Sequence, residues 1–280
     1  MSKRLKQLAF SNSKLYLFDL DGCIYYGNEL AYGVKELLHR LNEAGKKIGF
    51  ITNNSANTTA EVADKMRHFG LMVEERDIFT ATDYTGQYIR QRYGICSIKA
   101  AGSEGLLRSL QRMGHRVLPV DSPEQPDVIV VAKDTEFTYF KLQALVVDAM
   151  NGTPVIGTNP DRYHPGDKGM RTPETGSLIA AMETIIDRKV DEYVGKPYPY
   201  LFRICMEQYR CEPHECVMIG DNMETDVAGG IQTGMTTVWI RGEATGSNQI
   251  ESDTINKLTP NFIVPTISEM LHLLNESGIV

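Results

Sequence analysis

The sequence predicts an α/β protein built on parallel sheets. Short apolar runs of β character recur along the chain, and residues with helical apolar spacing separate them. Four polar clusters follow apolar runs, at the place where open parallel sheets gather ligands. The 280 residues suffice for one large domain or two modest ones.

Leu15-Tyr16-Leu17-Phe18 is the first apolar run and ends in a carboxylate. Val34, Leu37, Leu38 and Leu41 follow at helical spacing, with Gly45 as a stop. Ile48 to Ile51 reads as a strand. Thr58 and Glu61 form a capping-box pattern for a helix through Val62, Met66 and Phe69. Ile78 to Ala81 and Ser97 to Ala101 read as strands, and Glu104 to Met113 as a helix. Asp127 to Val131 reads as a strand, Thr138 to Met150 as a helix, and Pro154 to Gly157 as a strand. A Gly/Pro-rich loop spans Asn159 to Pro173, and Leu178, Met182 and Ile185 mark the next helix. The last third predicts helices over Pro199–Tyr209, Thr225–Thr233 and Ile267–Asn275, and strands at Val217–Ile219, Thr236–Ile240 and Phe262–Val264.

Lys plus Arg is 29 and Asp plus Glu is 36, a net charge of −7. That balance argues against nucleic acid or an anionic membrane as partner. No apolar run approaches the ~20 residues of a membrane span. The first ten residues are basic, but their apolar stretch is shorter than the ~7–15 residues of a signal-peptide core. Cys23, Cys96, Cys205, Cys211 and Cys216 form no C-x-x-C pair, and free thiols point to a cytoplasmic protein.

The chemistry-bearing residues sit at the ends of runs. In Phe18-Asp19-Leu20-Asp21-Gly22, alternation along an extended backbone sends the two carboxylates to opposite sides, so one can attack while the other shuttles protons. Thr52, Asn53 and Asn54 offer a hydroxyl and amides that can hold oxyanion oxygens. Lys196 lies between Gly195 and Pro197 and can neutralise a phosphate or carboxylate, although neither Gly45-Lys46 nor Gly195-Lys196 fits a P-loop. Asp221 and Asp226 follow the run Val217-Met218-Ile219-Gly220, and with Asp19 they make an all-oxygen set suited to Mg2+. An anionic nucleophile, a divalent cation to offset its charge, and cationic and amide donors are what phosphoryl transfer needs.

The motifs Asp19-Leu20-Asp21-Gly22, Thr52-Asn53, Lys196 and Gly220-Asp221-x3-Thr225-Asp226 resemble, in order, the four motifs of the haloacid dehalogenase superfamily. Thr52-Asn53-Asn54-Ser55, Thr158-Asn159-Pro160-Asp161, Thr175-Gly176-Ser177-Leu178 and Gly195-Lys196-Pro197 resemble its NagD-like, p-nitrophenylphosphatase branch. The resemblance spans about residues 14 to 265. It implies a Rossmann-like core with an inserted α/β cap of the C2 type. Only 31 positions separate Asp21 from Thr52, whereas 144 separate Thr52 from Lys196, so the second gap has room for the cap. The expected division is core 1–81, cap 82–187 and core 188–280. Two departures stand out: Cys23 replaces the usual Thr, expected to loosen the first loop slightly, and Glu174 adds a negative charge near the cap.

The resemblance implies a phosphatase of small phosphomonoesters. Asp19 is the expected nucleophile and Asp21 the acid and base, while Thr52, Asn53, Asn54 and Lys196 hold the phosphate. Mg2+ is expected on Asp19, Asp221 and the backbone carbonyl of Asp21, with Asp226 orienting Lys196 or a metal-bound water rather than binding the metal. His164, in Asp161-Arg162-Tyr163-His164-Pro165, is the candidate substrate contact from the cap. The expected partners are a small phosphorylated metabolite and a second copy of the chain paired through the cap. A phosphotransferase on the same site, and a non-catalytic small-molecule-binding protein on this fold, stay open as alternatives.

Overall fold

Two parallel sheets organise the chain in the computed structural model, which describes residues 10, 12–165, 170–242 and 258–279. Residues 1–9, part of the basic N-terminal segment, and 166–169, part of the expected 159–173 loop, lie outside the described residues. In chain order the strands are β1 (Leu15–Phe18), β2 (Tyr25–Tyr26), β3 (Glu29–Leu30), β4 (Lys47–Thr52), β5 (Ile78–Thr80), β6 (Ser97–Ala101), β7 (Arg116–Leu118), β8 (Val128–Val131), β9 (Val155–Gly157), β10 (Tyr163–Pro165), β11 (Arg171–Pro173), β12 (Glu192–Tyr193), β13 (Cys216–Gly220), β14 (Thr236–Ile240) and β15 (Phe262–Val264). The α-helices are α1 (Val34–Glu43), α2 (Thr59–His68), α3 (Ala81–Tyr93), α4 (Glu104–Arg112), α5 (Tyr139–Met150), α6 (Thr175–Ile186), α7 (Pro199–Tyr209), α8 (Ala228–Gln232) and α9 (Ile267–Glu276). Among the described residues no helix is long and apolar enough to cross a membrane.

The first compact unit comprises Met1–Thr52, Ala63–Phe79 and Lys196–Val280. Its six-stranded sheet has the order β15-β14-β13-β1-β4-β5. β1 pairs parallel with β13 on one side and β4 on the other, with Phe18 opposite both Ile219 and Phe50. β1 and β13 are buried along their whole length, which is why each reads as an unbroken apolar run rather than an alternating one. Burying Leu15, Leu17 or Phe18 contributes on the order of 1.5–3 kcal/mol each. The chain leaves β1 toward one neighbour first and the other later. This is the topology that opens a crevice at the strands' carboxyl ends, and Asp19, Thr52 and Gly220 sit at those ends.

The second unit comprises Asn53–Val62 and Thr80–Gly195. Its sheet, β12-β9-β8-β6-β7, is parallel throughout. Leu145, Val146 and Ala149 of α5 and Ile179 and Met182 of α6 pack on Ile129 and Val131 of β8 and Val155 of β9. The unit is wider than the expected 82–187. Pairing of β12 with β9 keeps residues up to 195 with this sheet, and Ser55 Oγ hydrogen-bonds Thr175 Oγ1 at 3.1 Å.

Several elements differ from the sequence reading. Ala81 does not extend a strand but begins α3, which the sequence reading lacked. Thr80 Oγ1 accepts from the Asp83 N–H at 3.1 Å and caps that helix. Its buried face carries Ala81, Thr82, Thr85 and Gly86 besides Ile89, so apolar periodicity gives no signal. Small residues are needed there: a Cβ on Gly86 would press on Met113. The Asn159–Pro173 loop contains the antiparallel hairpin β10–β11, whose short polar strands show no alternation. The helix expected over Thr225–Thr233 instead begins as a π-helical turn, Met223–Val227, before α8.

Candidate active site

The backbone at Asp19 is fixed by the sheet. Its N–H donates to the Ile219 carbonyl at 2.8 Å, carrying the β1–β13 ladder one step past the strand. The chain then turns. The Leu20 carbonyl accepts from the N–H groups of Cys23, Ile24 and Tyr25, and Gly22 adopts φ +85°, a left-handed conformation that suits glycine. A Cβ on Gly22 would run into the Asp221 carboxylate. Cys23 is buried in this turn, with its thiol 3.9 Å from the Ile219 carbonyl. Asp21 accepts a hydrogen bond from the Tyr25 hydroxyl at 3.3 Å.

β13 delivers the second acidic group. Beyond Gly220 come Asp221, whose carbonyl accepts from the Trp239 indole at 2.8 Å, and Asn222, whose Oδ1 caps the π-helical turn by accepting from the N–H groups of Glu224 and Thr225. The wide turn brings Asp226 back over the strand end, where its Oδ2 accepts from the Asn222 N–H at 3.0 Å. That carboxylate occupies the space a Cβ on Gly220 would need.

Lys196 joins the two clusters. Its ammonium is buried and donates to Asp19 Oδ1 at 2.5 Å, Asp226 Oδ1 at 2.7 Å and the Ile51 carbonyl at 3.0 Å. Burial alone would lower its pKa, but the Asp19 and Asp226 carboxylates outweigh burial and raise it. It is therefore a fixed cation.

The carboxylates of Asp19, Asp221 and Asp226 each bring an oxygen within 4.8 Å of the others. Burial, and then the Asp226 charge, push Asp19 well above the ordinary carboxylate range; Lys196 opposes but does not cancel them. Burial and Asp226 likewise push Asp221 up to about 7. Three carboxylates thus face one ammonium in a desolvated cluster. An all-oxygen donor set with excess negative charge fits a hard divalent cation. Asp21 contributes no carboxylate to this group; its expected ligand atom is the backbone carbonyl.

The structure thus brings Asp19, Lys196, Asp221 and Asp226 together in the first unit, with Asp21 two residues along from Asp19 and Thr52 buried at the end of β4. Asn53, Asn54 and His164 belong to the second unit. Asn53 Nδ2 donates to Asp161 Oδ2 at 3.0 Å, and Asn54 Oδ1 accepts from the N–H groups of Ala56 and Asn57. His164 is exposed on β10, opposite Thr172. The negative charge that Glu174 brings is paired: Lys133 Nζ donates to it at 2.5 Å. Sequence reasoning placed Gly22 and Gly220 in motifs but assigned no role to them, although they make room for the carboxylates, nor to Asn222, which shapes the turn under Asp226. The spacing Gly220-Asp221-Asn222-x3-Asp226 was the available signal.

A profile of haloacid dehalogenase-like hydrolases matches residues 16–116, and a second, HAD-hydrolase-like profile matches residues 193–270. The chain is 32% identical over 305 residues to a human glycerol-3-phosphate phosphatase, covering 98% of this chain and 95% of that protein. It is 29% identical over 258 residues to an acid sugar phosphatase of Staphylococcus aureus, covering 92% and 96%. The solved 4-nitrophenylphosphatase of Thermotoga maritima superposes with a TM-score of 0.84 at 28% identity, covering 94% of this chain and 98% of that one. With the four strand-end clusters in place, this chain belongs to the haloacid dehalogenase-like hydrolases, in their NagD-like, p-nitrophenylphosphatase branch, and is a phosphoric monoester hydrolase.

Proposed function

We propose that the protein hydrolyses small phosphomonoesters, of the sugar phosphate, phosphoglycolate or p-nitrophenyl phosphate type, through a covalent phosphate on Asp19, with Mg2+ as cofactor. The observation that carries the reading is the cluster of buried Asp19 and Asp226 and half-buried Asp221 with the buried Lys196 at the carboxyl ends of β1 and β13. The Asp19 carboxylate attacks phosphorus and the ester bond to the leaving oxygen breaks. Asp21 gives that oxygen a proton, so an alcohol departs. Asp21 then takes a proton from water, whose oxygen attacks phosphorus and breaks the bond to Asp19, releasing inorganic phosphate. Lys196 and Thr52, with Asn53 and Asn54 beside it in sequence, supply donors to the transferring oxygens. Asp19, Asp221 and the Asp21 carbonyl would hold Mg2+, which screens the anionic nucleophile from the anionic phosphate. Asp226 holds Lys196 in place. His164 is the residue that would contact the leaving group. Phosphate release with and without Mg2+, and chemical trapping of the acyl phosphate at Asp19, test the reading; release that persists in full after metal removal overturns it.

The raised pKa of Asp221 sets a pH dependence for the metal. Below about 7 the folded, metal-free chain holds protons on this cluster that the unfolded chain has already lost. Bound Mg2+ must displace those protons, so its affinity rises as pH rises through about 7. Mg2+ is expected to raise the melting temperature more at about pH 7.5 than at about pH 5.5. Equal increments at both would show that the carboxylates do not titrate there.

We also propose that two copies pair through the second unit. Tyr139, Phe140, Val147 and Met150 of α5 and Ile185 of α6 are all more than half exposed. The charges these helices carry are already satisfied: Lys141 pairs with Asp134, Asp148 is buried with Lys99, and Glu183 pairs with Lys189. A chain of net charge −7 repels a second copy of itself, and an uncharged face avoids that repulsion at a two-fold contact. Light scattering should give a dimer mass for the wild type and a monomer mass for V147E/I185E; a monomeric wild type refutes the pairing.

A further inference from the structure

The sequence Thr158-Asn159-Pro160-Asp161 has no part in the chemistry above, yet it lies at the carboxyl end of β9 in a network of hydrogen bonds. Asn159 Nδ2 donates to the Asn53 carbonyl at 2.8 Å. Asn53 Nδ2 donates to Asp161 Oδ2 at 3.0 Å, and the Asp161 N–H returns to Asn159 Oδ1 at 3.0 Å. The Gly195 N–H donates to the Thr158 carbonyl at 2.7 Å. Thr158 and Asn159 are fully buried. Close approach is built into the partners. A Cβ on Gly195 would meet Asn53 Oδ1 and the Thr158 carbonyl, and one on Gly176 would collide with the Pro160 carbonyl. Gly176, at the start of α6, also donates its N–H to the Asp161 carbonyl at 2.7 Å.

One turn therefore grips both Asn53 and Gly195. These are the peptide neighbours of Thr52 and Lys196. A shift of either passes to its neighbour through a single rigid peptide, because consecutive Cα atoms are held ~3.8 Å apart. We propose that the Thr158–Asp161 turn is a positioning element for phosphate binding, with Asp161 and Asn159 as its positioning residues. The proposal rests on the assignment of Thr52 and Lys196 to phosphate. Asp161 acts through Asn53: its carboxylate fixes the Asn53 side chain while Asn159 fixes the Asn53 carbonyl. The Thr52–Asn53 peptide is then already oriented before substrate arrives, and less ordering is left for binding to bear.

The test compares wild type, Asp161→Ala and Asp161→Asn by KM and kcat for p-nitrophenyl phosphate, the inhibition constant of inorganic phosphate, the Mg2+ half-saturation and thermal melting. Asp161→Ala should raise both the KM and the phosphate inhibition constant about tenfold, as loss of one well-placed hydrogen bond allows. Mg2+ half-saturation should not change. Asp161→Asn keeps an acceptor oxygen and should stay within about twofold of wild type. Asp161→Ser, polar but too short to reach Asn53, replaces the alanine variant if that one does not fold. An unchanged inhibition constant in a folded Ala or Ser variant, or equal losses in Asp161→Asn and Asp161→Ala, overturns the positioning role and leaves the phosphatase reading intact. A wild type that neither releases nor binds phosphate overturns both.

Discussion

Asp19→Asn should abolish phosphate release and leave a folded protein. An amide has no anionic oxygen with which to attack phosphorus, and no neighbour can take over the attack. Asp221 lies past a different strand, and Asp226 is held by Lys196 and by the Asn222 N–H. The fold should tolerate the change because the amide oxygen can still accept from the Lys196 ammonium. Replacement also removes one carboxylate of a mutually repelling group of three. The expected result is a melting temperature near that of wild type beside a kcat indistinguishable from background. Retention of more than about a tenth of the wild-type kcat corresponds to a barrier change under ~1.4 kcal/mol and would sink the assignment of Asp19 as nucleophile.

The parts of the fold that were legible are those where one physical effect dominates. β1, β14, β15 and α7 fall where apolar runs, helical spacing and Pro199 at the first helical turn predict them. A strand buried on both faces must be apolar at every position, and that leaves a plain mark on the sequence. α3 left none, because close packing on its buried face selects Thr85 and Gly86 rather than large apolar side chains. The hairpin β10–β11 was hidden for another reason. Its strands are three residues each and largely exposed, so no core-facing alternation is imposed on them.

The site divides the same way. Asp19 and Asp221 were recognisable because each follows a buried strand, and Thr52 because it closes the apolar run of β4. Asp226 was expected to orient Lys196 or a metal-bound water, and the Lys196 ammonium donates to both Asp19 and Asp226. Charge balance over long separations was not legible. Nothing local in the sequence says that Glu174 meets Lys133, 41 residues away. Nor does the sequence show that the Gly22 and Gly220 positions are filled by the carboxylates of Asp221 and Asp226, since this is a matter of space between two loops.

Lys196→Met carries the second large effect, and it acts on stability and on chemistry separately. Methionine matches the length of the lysine stem but removes an ammonium that makes three hydrogen bonds in a buried site. Asp19 and Asp226 are left without their cation. Removing one partner of a buried ion pair typically costs about 3–5 kcal/mol, so the metal-free variant should melt well below wild type. Under the proposed phosphate-binding role of Lys196, its loss should also lower kcat for p-nitrophenyl phosphate by a factor of about 100–1,000. The two losses can be pulled apart. Adding Asp226→Asn to Lys196→Met removes one unpaired charge and should recover part of the melting temperature. It restores no donor to the phosphate, so turnover should stay at the level of the single variant. Lys196→Arg should not rescue either property, because a planar fork cannot present one compact charge to three acceptors that converge on a single nitrogen. Recovery of turnover along with stability in Lys196→Met/Asp226→Asn would show that Lys196 serves only to balance the buried carboxylates and has no part in binding phosphate.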